Sequence, residues 1–160
     1  MKEKSLFDPV ARELAEKFGP IDMVSSWFPF DYTIYYEPEM GTHLFRRVLA
    51  FKPLIKQGEL ARIKLMTNDL EQKYSKNNKR MVNIDPGYLV HERFVLATGK
   101  NYTHRIYIGR GIYADLTLIY QKGEFQKLPW TYPDYADKKM LTFLEMVRNK
   151  YMADLKVKND

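Results

Sequence analysis

The segment THRIYIGRGIYADLTLIYQKGEF, from Thr103 to Phe125, carries the strongest β signal in the chain and limits the possible folds more than any other part of it. Apolar and polar residues alternate along much of this segment, a period typical of a half-buried strand. Glycine-containing turn residues interrupt the pattern at 109–111 and at Lys122-Gly123. The segment therefore predicts consecutive antiparallel strands joined by two tight hairpin turns.

The register of the first hairpin follows from where its apolar side chains must lie. A loop of only Arg110-Gly111 would put Ile106 opposite Asp115 and interrupt the apolar face. A loop over Gly109, Arg110 and Gly111 keeps that face continuous. The resulting pairs are Ile108 with Ile112, Ile106 with Ala114, His104 with Leu116, Tyr107 with Tyr113 and Arg105 with Asp115. The last pair has opposite charges, which contributes about 0.2–1 kcal/mol across a strand pair.

The remaining segments predict a mixture of helices and strands. Asp8 as a cap, Pro9 in the first turn and Gly19 at the end delimit a first helix. Helical spacing predicts two more helices, over Glu59–Tyr74 and over about 138–155, and a short helix over Leu89–Ala97. Extended segments are predicted at 21–30, Tyr32–Glu37, Leu44–Phe51 and Met81–Ile84.

This order of elements predicts an α+β fold, with about three helices packed on one face of a mostly antiparallel sheet. A chain of 160 residues is long enough for one core. We therefore expect a single domain over 1–155 and a disordered tail over 156–160. The chain has no cysteine, which excludes disulfides, thiolate metal sites and cysteine nucleophiles and favours a cytoplasmic location. Its apolar runs are too short to predict a membrane span or a signal peptide.

The charge is distributed unevenly along the chain. Residues 1–45 contain four Lys/Arg and eight Asp/Glu, so the net charge of +6 leaves +10 for residues 46–160. A basic segment favours anionic partners, including nucleic acid, although solvated lysine-rich surfaces are common. The late aromatic residues offer stacking surfaces for bases, with core packing as the alternative. They are Tyr102, Tyr107, Tyr113, Trp130, Tyr132 and Tyr135.

Several polar residues are candidates for chemistry, each with a structural alternative. Glu37 and Glu39 flank Pro38 and could bind a divalent cation or move protons, or simply form a solvated strand end. Arg47 on a strand needs an anion, either from the protein or from a ligand. His104 would be a general acid or base, or a satisfied structural histidine. Zinc-site histidine spacings, GxSxG, P-loop and GxGxxG motifs do not occur.

Five stretches of the chain together resemble a known prokaryotic family, domain of unknown function 4416. The stretches are FGPID (18–22), FPFDYTIYYEPEMG (28–41), NIDPGYL (83–89), VLATGKNYTHRIYIGRGIYADLTLIY (95–120) and WTYPDY (130–135). The resemblance spans nearly the whole chain and carries no established reaction. It implies a short apolar strand before the first helix, whereas this chain starts almost at that helix. A ferredoxin-like core, an alternative for part of the fold, would then lack its first strand.

The resemblance also implies which polar residues form a site. They are Asp31, Thr33, Tyr36, Glu37, Glu39, Arg47, Asn83, Asp85, His104, Arg105 and the loop 130–134. From these and the hairpin we expect ligand contacts from Tyr36, Arg47, Arg105, Asp115, Trp130, Tyr132 and Asp134. The candidates for catalysis are Glu37, Glu39, Asp85 and His104, and the candidates for a metal are Glu37 and Glu39.

The expected function is binding of a small anionic ligand, a nucleotide or phosphate ester, in a polar cleft, with a divalent cation as an optional cofactor. Tyrosines and carboxylates of residues 28–41 would form one wall, and Asp85, His104 and Arg105 the other. Two alternatives stay open. One is an RNA-binding module that uses the basic region 46–160, and the other is a structural or assembly protein with a tyrosine-rich interface. The sequence does not distinguish an enzyme from a binding protein.

Overall fold

The structure is a computed structural model that describes residues 1–31 and 36–159. The chain forms two compact units. Unit 1 comprises Met1–Ile55 and Met66–Ile84, and unit 2 comprises Lys56–Leu65 and Asp85–Asp160. One domain over 1–155 remains a prediction from the sequence, and the two units are described in turn.

Unit 1 combines helices with pairs of short antiparallel strands. Its elements are α1 (Phe7–Phe18), β1 (Ile21–Val24), β2 (Phe28–Phe30), α2 (Glu37–Met40), β3 (Leu44–Arg46), β4 (Leu49–Phe51), the later residues of α3 (Leu60–Lys73), β5 (Ser75–Lys76) and β6 (Lys79–Arg80). The strand pairs are β1 with β4, β2 with β3 and β5 with β6. Every one of these pairs is antiparallel.

The core of unit 1 lies along the apolar stripe of α1. Val10 and Leu14 pack with Leu70 and Val82 in one buried cluster. The predicted first helix is confirmed, and it ends at Gly19, whose φ of 94° suits glycine. The predicted cap is wrong, because the helix begins two residues earlier: Leu6 is the cap, and Asp8 lies inside the first turn.

Two strand predictions in unit 1 are wrong, and a third lies mostly outside the described residues. The predicted strand 44–51 is two strands, β3 and β4. Between them Val48 bonds to Ser25: its N–H donates to Ser25 Oγ, and its carbonyl accepts from Ser25 N–H. Residues 81–84 form no strand, since the Met81 N–H donates to Tyr74 O and its carbonyl accepts from Lys2 N–H. Of the predicted strand 32–37, residues 32–35 lie outside the described part, and Glu37 begins α2.

Unit 2 contains the largest sheet of the described chain. After the first residues of α3 come β7 (Gly87–Leu89), β8 (Arg93–Thr98), β9 (Arg105–Gly109), β10 (Ile112–Gln121), β11 (Glu124–Lys127) and α4 (Lys138–Asn159). The sheet has the order β11-β10-β8-β7, and β9 also pairs with β10. Because β8 spans most of one edge of β10, β9 and β11 share the other edge.

The predicted register of the first hairpin is confirmed for three of its five pairs, but its turn is different and the β9 pairing does not extend to His104. Tyr107 pairs with Tyr113, Ile106 with Ala114 and Arg105 with Asp115, as predicted. Near the turn, Ile112 pairs with Gly109 rather than Ile108, and a bulge restores the register beyond it. The turn is thus Arg110-Gly111, both with positive φ, a turn type whose twist suits a two-residue hairpin. Lys122-Gly123 forms the second predicted turn.

The prediction of a short helix at Leu89–Ala97 is wrong. These residues belong to β7 and β8, and Val90 N–H donates to Arg93 O between them. The segment is strand because β8 lies between β7 and β10, where both of its edges are paired. Val95 and Ala97 pack with Leu60, Ala61 and Ile112 in the core of unit 2.

Gly87 in β7 allows a close approach of β8, and Gly87→Ala is expected to lower the free energy of unfolding by about 1–3 kcal/mol. A Cβ at this position would lie 2.5 Å from the backbone oxygen of Val95, so the strands would have to separate. Chemical denaturation measures the loss. Gly99→Ala is the matched control, because nothing lies within 4 Å of a Cβ there. Equal denaturation midpoints for the two variants would contradict the steric explanation.

The predicted α+β class and the antiparallel pairing are confirmed, although the strands form several small sheets rather than one. In the largest sheet β7, β8, β10 and β11 follow each other as neighbours, without the helical crossovers of a ferredoxin-like arrangement. Helices α3 and α4 confirm the second and third predicted helices. Helix α4 continues to Asn159, into the segment for which the sequence predicted disorder. None of the helices in the described part is long and apolar enough to cross a membrane.

Candidate functional site

Asp115 on β10 is the centre of a polar cluster in unit 2. Its Oδ2 accepts a hydrogen bond from Arg105 Nε at 2.8 Å and lies 3.0 Å from His104 Nε2. The hydroxyl of Thr117 lies 3.4 Å from Oδ1. All three side chains of the ionic group are about nine-tenths buried, with 10% of Asp115, 10% of Arg105 and 9% of His104 exposed. The predicted cross-strand pair is therefore a buried ion pair that also holds a histidine.

Two aromatic side chains enclose the ring of His104. The indole of Trp130 stacks on it, with ring centroids 4.8 Å apart and planes 13° from parallel. Tyr102 meets it edge-on at 5.6 Å. The guanidinium carbon of Arg105 lies 5.9 Å from the centroid of the Tyr102 ring. Because Tyr102 is 65% exposed and Trp130 is 37% exposed, aromatic surface reaches solvent on both sides of the buried histidine.

The segment after β11 is fastened to β10 by side-chain hydrogen bonds, which fix the position of Trp130. Its indole N–H donates to Leu116 O at 2.7 Å, and the hydroxyl of Thr131 donates to Thr117 O at 2.6 Å. The same hydroxyl accepts from Leu128 N–H at 2.8 Å. Trp130 is therefore held in one position against His104.

The hydrogen bonds of the cluster leave specific atoms for further interactions. A carboxylate only accepts hydrogen bonds, so His104 donates from Nε2, and Nδ1 is the other polar atom of its ring. Arg105 uses Nε toward Asp115 and Nη1 toward Lys100 O, and a guanidinium has five N–H donors. Chemically, the group offers a base held by a carboxylate, a fixed cation and aromatic surface.

The other predicted residues of unit 2 occupy different surroundings. Asp134 is buried in the turn of 3₁₀ helix Pro133–Ala136, and Tyr132 just before it is 57% exposed. Asp85 is exposed before β7. Among the described residues, the hydrogen bonds of Asp115 do not include these three. Their membership of one site with His104 stays a prediction.

In unit 1, Glu39 is held by Arg80, a residue that the sequence analysis did not single out. Glu39 Oε1 accepts from Arg80 Nε at 2.7 Å and from its backbone N–H at 3.0 Å, and Oε2 accepts from Nη2 at 2.8 Å. These hydrogen bonds hold the pKa of Glu39 below its usual value, and those from the Arg80 side chain have the largest effect. Partial burial acts in the opposite direction. A cation at Glu39 would have to compete with Arg80 for both oxygens.

The same guanidinium also binds the buried carboxylate of Glu71. Arg80 Nη1 donates to Glu71 Oε2 at 3.1 Å and to Asn83 Oδ1 at 3.0 Å. The other oxygen of Glu71 accepts from the backbone N–H of Ile84 at 2.5 Å. The hydrogen bonds to Glu39, together with Glu71, raise the pKa of Arg80 further above its usual range. We call Glu39, Glu71, Arg80 and Asn83 the arginine clamp, and its contacts are those of a structural network.

Arg47 is likewise engaged by unit 1 itself. Its Nε donates to Ser25 O at 2.8 Å, and its guanidinium carbon lies 4.6 Å from the ring of Phe7 and 5.0 Å from that of Trp27. In place of the anion that the sequence analysis expected, a neutral backbone carbonyl and two aromatic faces contact this guanidinium. A ligand is not needed to account for this arginine.

The remaining predicted residues of unit 1 lie at or before α2. The carbonyl of Tyr36 accepts from Met40 N–H at 2.7 Å, and its ring lies 5.8 Å from that of Phe30. Glu37 and Asp31 are exposed, and Thr33 lies outside the described residues. Among the residues that the structure describes, no group of three or more His, Asp or Glu is placed to hold a metal ion.

The structure adds residues that the sequence analysis missed. Arg80 and Glu71 carry the clamp, and Thr117 and Thr131 support the cluster around Asp115. Arg80 is 41 residues from its partner Glu39 in the chain, so no local pattern could have paired them. Thr117 could have been found, because it follows Asp115 on the same face of a strand whose register was predicted.

A comparison with known families identifies the family of the chain but no reaction. The model of the family Domain of unknown function (DUF4416) matches residues 1–151, and the chain belongs to this family. No curated protein and no solved structure matches the chain. The predicted family is thereby confirmed.

Proposed function

We propose that unit 2 binds a small anionic ligand, a nucleotide or another phosphate ester with a planar group, at the cluster of Tyr102, His104, Arg105, Asp115 and Trp130. One observation carries the proposal: exposed aromatic surface lies directly beside a buried arginine and histidine that share one carboxylate. A cytoplasmic location fits a chain without cysteine. A prokaryotic source is what the family resemblance implies.

The aromatic side chains would bind the planar part of the ligand. Tyr102 is 65% exposed, and its ring meets the ring of His104 edge-on. A face of the Tyr102 ring would therefore be available for stacking. Stacking of a base on an aromatic side chain contributes about 1–3 kcal/mol as measured by alanine substitution. Trp130 is held in place by its hydrogen bond to Leu116 O, and its exposed surface extends this platform.

The cationic groups would bind the phosphate. Arg105 is oriented by Asp115 and Lys100 O, so its remaining N–H donors point in a fixed direction. An oriented guanidinium binds phosphate through paired N–H donors more specifically than a lysine does. Lys100 is exposed next to it and adds positive charge. His104 Nδ1 would contact the ligand through a hydrogen bond.

A second candidate is single-stranded nucleic acid, and the exposure of Tyr102, Trp130 and Tyr132 favours it. Stacking platforms flanked by basic residues bind single strands with little sequence preference. The two candidates differ in their response to salt. Binding of a polyanion weakens by orders of magnitude between low and moderate salt, whereas a mononucleotide with few charges loses far less.

A thermal-shift screen with nucleotides, sugar phosphates and an oligonucleotide tests the proposal. A ligand at 100 times its dissociation constant stabilises the folded protein by about 2.7 kcal/mol, and for a chain of this size that raises Tm by about 5–10 °C. Divalent cations belong in the screen because the sequence suggested them as a cofactor. Tyr102→Ala is expected to weaken binding about tenfold with little change in Tm, since its side chain is mostly exposed.

Tyr107→Ala is the matched control, because Tyr107 is 60% exposed on the same hairpin and contacts Tyr113 instead of His104. This control is expected to keep the affinity of the parent. A screen in which no phosphate-containing ligand changes Tm would overturn the proposal. So would a ligand whose affinity falls equally in both variants.

A further inference from the structure

Strand β9 presents a continuous run of apolar side chains to solvent. Ile106 is 69% exposed, Tyr107 60% and Ile108 36%. Neighbouring residues of a strand point to opposite faces, so both faces of β9 are open at this edge. Within the described residues, β9 pairs with β10 alone. Proteins usually protect such an edge with lysines, prolines or a covering element. The run Ile106-Tyr107-Ile108 contains neither lysine nor proline.

The backbone of β9 also has hydrogen-bonding groups directed away from β10. The N–H of Arg105 donates to Tyr102 O at 3.1 Å, so it does not point to β10. Hydrogen-bonding groups of successive residues in an antiparallel strand point to alternate edges. The N–H and C=O of Tyr107 therefore face the open edge, and those of Ile106 face β10. An added strand would form its central pair of hydrogen bonds at Tyr107.

The sequence of this edge is complementary to itself. Around Tyr107 it reads Ile106-Tyr107-Ile108, which is the same in both directions. Antiparallel pairing of two copies centred on Tyr107 would place each Ile106 opposite Ile108 of the other copy. Tyr107 would face its own counterpart across the twofold axis, as an isologous interface requires. Such apolar and aromatic cross-strand pairs stabilise a sheet.

Charge along the strand does not oppose the same occupant. Arg105 is the charged residue of β9, and Asp115 already neutralises it at 2.8 Å. In the antiparallel arrangement Arg105 would lie opposite Gly109 of the second copy, so the two arginines would not face each other. A second copy thus meets no unpaired like charge along the shared strand.

We propose that β9 is a dimerisation edge, at which two copies of this chain pair antiparallel through Ile106, Tyr107 and Ile108. Pairing of two five-residue strands buries less area than a standard interface. The dimer is therefore weak, with a dissociation constant in the micromolar range or above, and it dissociates on dilution. The inference is independent of the ligand proposed for Tyr102 and Arg105.

Sedimentation analysis across about 5–500 µM protein tests this edge, because a weak dimer of this kind populates over that range. The parent is expected to shift from monomer to dimer with concentration. Ile106→Lys combined with Ile108→Lys would place lysines opposite each other and raise the dissociation constant at least tenfold. Ile106→Lys combined with Ile108→Glu would place opposite charges together and restore dimerisation to within about threefold of the parent.

The two double variants share the Ile106→Lys change and differ only in the charge introduced at position 108, so each controls for the other. The side chains of Ile106 and Ile108 are exposed. Tm values equal to that of the parent would show that both variants fold normally. A parent that stays monomeric up to the highest concentration would overturn the proposal, and binding of extended peptides by that monomer would assign the edge to another partner. Failure of the opposite-charge variant to dimerise while the parent does would also overturn it.

Discussion

Replacing Arg80 with alanine is expected to lower the free energy of unfolding by about 3–5 kcal/mol, the usual loss when one partner of a buried ion pair is removed. Arg80 holds Glu39 through both carboxylate oxygens and Glu71 through one. Glu71 has only 5% of its side chain exposed, so removal of Arg80 would take away a cation that offsets its buried charge. Chemical denaturation at neutral pH measures this loss.

The matched control is Arg62→Ala. Arg62 also binds a glutamate, Glu59 at 2.7 Å, but 54% and 42% of the two side chains are exposed. An exposed pair of this type contributes about 0–1 kcal/mol, so the control should lose little stability. If Arg80→Ala lost no more than Arg62→Ala, the clamp would not stabilise unit 1 as its burial indicates.

Acid provides a second readout for the clamp. The pKa of Glu39 is lowered below the usual 4.5 in the folded protein, chiefly by hydrogen bonds from Arg80. A lowered pKa gives stability that is fully present above the unfolded value and is lost as pH falls through the folded value. The difference in stability between the parent and Arg80→Ala is therefore expected to be largest at neutral pH and to shrink below about pH 4.5.

The second large effect is expected at Asp115, where alanine would cost about 3–5 kcal/mol of unfolding free energy. The substitution removes the acceptor of Arg105 and of His104, and both side chains are about 90% buried. Asp115→Asn retains an acceptor oxygen in nearly the same shape and loses the charge. It is expected to lie between the parent and Asp115→Ala in stability, because a hydrogen bond remains where an ion pair was.

Glu124→Ala serves as the control for Asp115→Ala, since Glu124 is an exposed carboxylate on the neighbouring strand β11. Its loss should change the unfolding free energy by about 0.5 kcal/mol or less. Near-UV circular dichroism adds a local readout, because Trp130 stacks on His104. An Asp115→Ala protein with parental stability and an unchanged aromatic signal would contradict the network described for this cluster.

Local patterns predicted the hairpin better than any other part of the chain. The pairs Tyr107–Tyr113 and Arg105–Asp115 were predicted correctly, although the face chosen as apolar is exposed at Ile106 and the opposite face buries Arg105 and Asp115. The turn itself escaped prediction, since a bulge beside Gly109 shifts the register locally without changing it farther along. Periodicity predicted a helix at Leu89–Ala97, where the structure has β7 and β8. A strand with apolar residues on both faces lacks the alternating pattern that distinguishes a strand from a helix.

Strand patterning predicted the candidate site only where its residues share a hairpin, whereas Trp130 was expected there from the family resemblance. His104, Arg105 and Asp115 were found together because strand pairing brings them together. Trp130 joins them through hydrogen bonds from a loop whose course no periodicity describes. Glu39 was assigned to possible chemistry because Arg80, its partner, becomes a neighbour only on folding. Long-range pairs of this kind depend on tertiary structure, which local propensity does not specify.

The position of the two tryptophans gives each compact unit its own optical reporter. Trp27 belongs to unit 1, where the guanidinium of Arg47 lies over its ring, and Trp130 belongs to unit 2, stacked on His104. Replacing either one with phenylalanine would leave a protein with a single tryptophan, whose emission can be excited selectively. Heating the two single-tryptophan proteins would then show whether unit 1 and unit 2 melt together or in sequence, and coincident transitions are the mark of two-state unfolding.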